Sequence, residues 1–282
     1  MTLHWTRTSP LLETPPKQAV FAYLHRLSRC GVDAKVIQRM IDNINQSREA
    51  QAGGLRERIA LENQWYSSLQ DMKAGKRAEP DWSVYASPHY LGDLWGCWTQ
   101  YSRKYLREMN NPKSMFSHSV LDDFGTVRLL VDVGCGIGYT TAVWKQLFPT
   151  ARVVGTNLRD TVQWRVCEKM RKAHFFELVE KKADVGGERA DVVFASEYFE
   201  HFQDPITELR EMVKDLRQPR CLLLASSFNT VSIGHFTEYL CDGEFIDQSR
   251  ISKRFNEELK KLGYARQKTR IFNKKPDYWR CD

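Results

Sequence analysis

The chain is expected to fold as an α/β protein: a mainly parallel sheet with helices on both faces, preceded by a helical segment. Three observations predict this. After Phe124, short apolar runs rich in β-branched residues alternate with stretches of helical periodicity, the pattern of strands joined by crossover helices. Those runs are almost continuously apolar, as strands buried on both faces are. Before residue 120 the apolar residues instead recur at helical spacing, on one side of each segment.

The 282 residues are 42 % hydrophobic and 27 % charged, enough for a sizeable core and inconsistent with global disorder. The length suits one large domain or a domain with an appendage, and the change of texture divides it into residues 1–120 and 121–282. No apolar run approaches the roughly 18 residues of a membrane span, and Met1–Arg7 does not read as a secretory signal. The seven cysteines contain no C-x-x-C pair, so neither a disulfide framework nor a zinc site is expected, and no metal is assigned. A reducing, cytoplasmic location follows as the expectation. The net charge of +7 is uneven: residues 1–120 carry +5, residues 121–250 carry −4 and residues 251–282 carry +6. Basic flanks attract polyanions, and they equally serve as a solvated surface.

In order along the chain, residues 1–17 read as an irregular, proline-rich arm. A helix from Gln18 carries Val20, Phe21, Leu24 and Leu27, and ends at Cys30-Gly31-Val32. Asp33 is the expected N-cap of a second helix with Val36, Ile37, Met40, Ile41 and Ile44 on one side. Two helices about a short glycine turn also occur in DNA-reading modules, though any bundle has them. A third segment gathers Leu55, Ile59, Trp65, Tyr66, Leu69 and Met72. Between Tyr90 and Met109, Leu91, Leu94, Trp95, Trp98, Tyr101, Tyr105 and Leu106 form an aromatic stripe, for core packing or for the wall of a pocket that stacks on a flat ligand. Strands are expected at Val127–Val133, Arg152–Gly155, Glu177–Lys181, Asp191–Ala195, Cys221–Ser226, Tyr264–Lys268 and Thr269–Asn273. Helices are expected at about Tyr139–Phe148, Asp160–Lys172, Pro205–Asp215 and Ser252–Leu262.

The sharpest motif joins the first strand to its helix: Val131-Asp132-Val133-Gly134-Cys135-Gly136-Ile137-Gly138-Tyr139-Thr140. Alternating glycines allow left-handed backbone and close approach of a ligand. The dinucleotide fingerprint G-x-G-x-x-G is not completed, because its third glycine falls on Tyr139 in one frame and Thr141 in the other. No lysine follows as in a P-loop. A carboxylate two residues ahead of the first glycine suits a ligand bearing an ammonium group.

With Asp132, Gly134, Gly136 and Gly138 as D-x-G-x-G-x-G, residues 121–273 resemble the class I S-adenosylmethionine-dependent methyltransferases. The resemblance implies a Rossmann-like, seven-stranded sheet and S-adenosylmethionine as cofactor. It implies that the loop from Gly134 through Cys135 and Gly136 to Gly138 faces the methionine moiety, which Asp132 helps to place. The family usually carries an acid for the ribose hydroxyls where this chain has Asn157, a departure that forfeits charge-assisted hydrogen bonding. Asp184 and Val185, in Lys182-Ala183-Asp184-Val185, resemble the adenine-contacting motif. Asp191–Ser196 followed by Glu197-Tyr198-Phe199-Glu200-His201 resembles the fourth strand and its Glu-His continuation, with Ser196 beside the cofactor. Residues 1–120 resemble nothing we would name.

Methyl transfer is an in-line displacement at an activated carbon, so alignment supplies much of the rate and a base is needed only when the acceptor must lose a proton. The ends of the fourth and fifth strands offer His201 and His235 as bases, with Glu197 and Glu200 as carboxylates. Tyr198, Trp98, Tyr101 and Asn229 are the candidate substrate contacts. The cytosine-C5 Pro-Cys nucleophile is missing, and so is a Pro-Pro-aromatic motif after the fourth strand. The expected acceptor is therefore a small or medium-sized molecule reacting at oxygen or nitrogen, and the basic flanks favour an anionic or nucleotide-containing one. RNA or an unusual DNA substrate is the alternative, and a catalytically silent binding module the second. Oligomeric state is not legible.

Overall fold

A computed structural model describes residues 5–45, 48–271 and 275–281. The side chains of Ile41, Ile44 and Leu55 and residues 272–274 lie outside that description. The helical segment contains α1 (Pro10–Glu13), α2 (Pro16–Arg29), α3 (Ala34–Asn45), α4 (Arg48–Lys73), α5 (Tyr90–Gly96), α6 (Arg103–Met109) and α7 (Val120–Asp123). The arm thus holds one short helix, capped by the Ser9 hydroxyl on the Leu12 amide. Between α5 and α6 the chain continues without a break as a π-helical turn, Cys97–Ser102, a local widening often found at functional sites.

Strands β1 (Leu129–Val133), β2 (Arg152–Thr156), β3 (Glu177–Val179), β4 (Val192–Ser196) and β5 (Cys221–Ala225) alternate with α8 (Tyr139–Leu147), α9 (Val162–His174) and α10 (Pro205–Asp215). The hairpin β6 (Glu238–Cys241) and β7 (Glu244–Asp247) leads into α11 (Gln248–Lys261), then β8 (Ala265–Arg266) and β9 (Asp277–Arg280). The seven-stranded sheet has the order β3-β2-β1-β4-β5-β9-β8, parallel from β3 to β5 and antiparallel at β9. This is the expected architecture.

One expected strand is corrected. Thr269–Ile271 are not a strand, and the last strand is Asp277–Arg280. Tyr278 and Trp279, both 1 % exposed, are the apolar pair that can sit beside β5; the run at 269–273 has the charged Arg270 as its second residue.

Every residue of β1 and β5 is buried. Alternation sends Leu130 to one face, with Trp144, Phe148 and Phe194, and Leu129, Val131 and Val133 to the other, with Phe199, Leu209 and Leu222. Trp5, Leu12, Tyr23 and Leu27 belong to the first of these cores, while Leu61, Trp65 and Leu69 of α4 belong to the second. The strand order reverses between β1 and β4, so the loops leaving their carboxyl ends part and open a crevice.

Candidate functional site

The glycine loop is held from β2. Thr156 accepts the Gly134 amide on its hydroxyl (3.1 Å) and the Cys135 amide on its carbonyl (2.9 Å). Asn157 Nδ2 donates to the Gly136 carbonyl at 2.6 Å, and its Oδ1 accepts the Leu158 amide at 2.9 Å. A carboxylate at 157 has no proton for the Gly136 carbonyl, so the departure to asparagine has a structural reason: the side chain fixes the loop and both its polar ends are engaged. Gly134 has φ +69°, and a Cβ there would lie 2.5 Å from the ring of Tyr198.

Asp132, at the end of β1, is 2 % exposed. The Thr141 hydroxyl donates to it at 2.6 Å. Burial pushes its carboxyl up to about 7, against the pull of that hydrogen bond.

A cavity of about 740 Å³ opens in front of Asp132 and runs along Gly134, Cys135 and Gly136 to Ser196, Glu197, His201 and His235. Its roof comes from the helical segment. Tyr23 stacks on Trp95 at 4.4 Å, while Trp95 and Trp98 both contact Tyr139. Leu94 reaches to 3.3 Å of where a Gly136 Cβ would be. Trp98 is 3 % and Tyr101 44 % exposed, so the aromatic stripe is at once core and pocket wall. Ser102, in the π-turn, meets Ser196 with oxygens 3.3 Å apart.

The far wall is made where β4 and β5 end. Glu197 turns the chain at φ +52°, its amide bonded to the Ala225 carbonyl. Glu200 follows in a 3₁₀ turn, Phe199–His201, and is fully buried. Ser227 donates its amide to Glu200 Oε1 (2.9 Å) and its hydroxyl to Glu197 Oε1 (3.3 Å). Burial, followed by the Glu200 charge, pushes the Glu197 carboxyl up to about 8, and Lys275 pulls it down; burial raises Glu200 as well. Lys275 Nζ is bonded to the Ser226 carbonyl (2.8 Å) and the Ser227 hydroxyl (3.0 Å).

His201 Nδ1 lies 2.8 Å from the Tyr85 hydroxyl, which burial keeps protonated. Burial also lowers the imidazole to about 3, so the ring is neutral. His235 packs edge-on against it at 4.9 Å. His235 Nδ1 sits 2.8 Å from the Thr230 carbonyl, so it carries the hydrogen and leaves Nε2 with its lone pair. Helix α4 anchors this loop: Trp65 Nε1 donates to the His235 carbonyl at 2.7 Å, and Tyr66 accepts the Ser232 amide. Gly234, at φ +82°, has no room for a side chain; its Cβ would fall 2.0 Å from the Tyr85 oxygen.

The structure thus brings Asp132, Gly134, Cys135, Gly136, Ser196, Glu197, His201, His235, Trp98 and Tyr101 around one cavity, with Glu200 behind Glu197. Other candidates lie off it. Tyr198 points its hydroxyl to Glu208 at 2.7 Å. Asn229 is exposed on its loop, and Gly138 begins α8. Asp184 is exposed and accepts the Lys181 amide, and Val185 is buried in the core. Ser227, at the carboxyl end of the fifth strand, also borders the cavity, as do Arg58, Tyr139 and Lys275, which the sequence does not mark as site residues. Lys275 carries no sequence signal, being 48 residues from the serine it bonds.

A family model described as a methyltransferase domain matches residues 103–274, more than half the chain. No curated protein matches the sequence. Among solved structures, mitomycin 7-O-methyltransferase MmcR is similar at 14 % identity and a TM-score of 0.48, covering 96 % of this chain and 74 % of that one. An O-methyltransferase family protein from Burkholderia thailandensis is similar at 16 % identity and 0.39, covering 55 % of this chain and half the length of its own. Magnesium protoporphyrin IX methyltransferase from Synechocystis PCC 6803 is similar at 17 % identity and 0.35, covering 57 % and 75 %.

Proposed function

The chain belongs to the methyltransferase domain family and is an S-adenosylmethionine-dependent methyltransferase; on that premise we propose that it methylates an oxygen or nitrogen of a small or medium-sized acceptor held beneath the helical roof. The observation that carries this reading is the single cavity that joins Asp132 and the glycine loop to the Glu197, His201 and His235 wall. Its volume falls in the range of small-molecule sites.

In this reading Asp132 receives the ammonium group of the cofactor, and the backbone of Gly134, Cys135 and Gly136 lies along the methionine moiety. Asn157 acts as a positioning residue for that loop. The acceptor stacks against Trp98 and Tyr101 and presents its nucleophile to the wall of Glu197, Glu200 and His235. Those polar groups orient it, while His201, neutral and pinned by Tyr85, holds His235 in place. Alignment of nucleophile, methyl carbon and sulfur supplies the rest.

Residues 1–120 serve as the roof that closes the acceptor side. Among the described residues, the cations Arg39, Arg58, Lys104 and Lys275 border the cavity together with the acids Glu57, Asp93, Glu108, Asp132 and Glu197. The basic excess of the chain is therefore not concentrated there. An aromatic roof over a cavity favours a small acceptor over a polymer, which needs an open, basic track.

Calorimetry with S-adenosylmethionine and its demethylated product tests the cofactor site, with Gly136→Val as the non-binding control. Absence of binding at millimolar ligand overturns the proposal. Retention on DNA or RNA that falls steeply with salt would move the acceptor to nucleic acid.

A further inference from the structure

The wall that ends β4 and β5 contains more than an acid–base pair. A carboxylate oxygen of Glu197, one of Glu200 and a ring nitrogen of His235 all lie within 4.8 Å of one another. Two carboxylates this close in a buried site are both ionised only when a cation sits between them, and otherwise they share a proton. Lys275 is near, but its ammonium is engaged by Ser226 and Ser227.

Two further observations point to a ligand. Glu200 is 0 % exposed. One of its oxygens takes the Ser227 amide, while Oε2 is buried with no hydrogen-bond partner. Leaving such an atom unsatisfied is costly. His235, 4 % exposed, directs Nδ1–H to a backbone carbonyl, the arrangement by which a metal-bound histidine is oriented and its tautomer fixed.

We propose that Glu197, Glu200 and His235 bind one divalent cation of the magnesium–manganese class, which holds and activates a hydroxyl group of the acceptor. Three protein ligands leave coordination positions open, as in catalytic and unlike structural centres. Two oxygens and one nitrogen make an oxygen-rich, hard set, suited to Mg²⁺ or Mn²⁺, with Zn²⁺ as competitor. The two carboxylates neutralise the ion, so it adds no net charge against a sulfonium group in the same cavity. Glu197 and His235 border that cavity, so the open positions face the acceptor.

The catalytic role rests on the methyl-transfer reading; binding of the ion does not. Bound to the ion, an acceptor hydroxyl is made more acidic and releases its proton to water. Its oxygen then forms the C–O bond to the methyl carbon as the C–S bond breaks, and that electron pair passes to sulfur. The products are a methyl ether or ester and the neutral thioether. The geometry thereby selects oxygen over nitrogen as the acceptor atom.

The test uses the full chain, stripped with EDTA and desalted, and titrated with MnCl₂ while free Mn²⁺ is followed by electron paramagnetic resonance. Binding of the demethylated cofactor is measured separately by calorimetry. One Mn²⁺ per chain is expected, with affinity reduced about tenfold or more in Glu200→Gln and in His235→Gln and the cofactor product still bound. If the wild type takes up neither Mn²⁺ nor Zn²⁺ yet binds the cofactor product, the metal inference fails and the methyltransferase reading stands. If it binds neither, both fail. Mn²⁺ uptake that survives both substitutions places the ion elsewhere and also overturns the inference. Should a variant not fold, the wild-type titration decides alone.

Discussion

Cofactor affinity is expected to follow the ionisation of Asp132. Burial raises its carboxyl to about 7 in the unliganded protein, so the group is substantially protonated at neutral pH, whereas an ammonium ligand requires the carboxylate. If only the ionised form binds well, the apparent Kd is the intrinsic value divided by the ionised fraction. That fraction is about one in eleven at pH 6 and about ten in eleven at pH 8, so affinity rises about tenfold across the interval. The ammonium group of the ligand itself titrates near about 7.7–8.0, which adds an opposing alkaline limb.

The sign for the free protein is opposite. The folded pKa lies above the unfolded value of about 3.9, so this group's contribution to stability is complete below about pH 4 and is lost as pH rises through about 7. The assay is calorimetric titration with the demethylated cofactor at pH 6 to 8, in two buffers of different ionisation enthalpy. Proton release on binding near pH 7 is expected. Thr141→Val, which removes the hydrogen bond that lowers this pKa, moves the acid limb to higher pH, and Asp132→Asn abolishes it. A Kd independent of pH between 6 and 8, with no proton released, would refute the reasoning.

Other expectations concern the scaffold and the roof. Asn157→Asp sets a carboxylate against the Gly136 carbonyl in place of a 2.6 Å donor; about 1–3 kcal/mol of stability and at least tenfold in cofactor affinity should be lost, read by thermal melts and calorimetry. In Gly234→Ala, a methyl group 2.0 Å from the Tyr85 oxygen at left-handed φ should cost about 2–5 kcal/mol, and a melting temperature within 2 °C of wild type would contradict it. Tyr101→Ala, at a half-exposed roof position, should leave cofactor affinity within about twofold and, once an acceptor is known, raise its KM several-fold. A change in kcat alone would place Tyr101 elsewhere in the reaction.

The sheet was legible because strands buried on both faces leave near-continuous apolar runs, and the glycine loop because three alternating glycines after such a run answer a single backbone demand. His201 and His235, 34 residues apart, were placed together by a topological rule: both follow carboxyl ends of adjacent parallel strands. The hairpin at Glu238–Asp247 is faint in the apolar pattern, although Asp242 and Gly243, both at positive φ, are a strong hairpin-turn signal. Its strands are short, and alternation in Glu238-Tyr239-Leu240-Cys241 is weak. Asn157 looked like a weakened ribose contact because a sequence shows which residue departs, and only geometry shows what it bonds. Tyr198 read as a substrate contact because it follows a strand end, but its hydroxyl had Glu208, a residue one helix away, to satisfy.

The shared cores of sheet and roof bear on how this scaffold can be modified. Tyr23 and Leu27 of α2 are packed in one body with Tyr139 and Trp144 of α8, and Trp65 of α4 with Phe236 of the β5 loop. Acceptor choice and sheet integrity are therefore not separable modules. Grafting a foreign segment in place of residues 1–120 would strip apolar surface from helices that back the glycine loop. Retargeting must proceed by single substitutions at half-exposed roof positions such as Tyr101, leaving the anchoring tryptophans untouched. A ligand bound in the cavity is expected to raise the melting temperature of sheet and roof together.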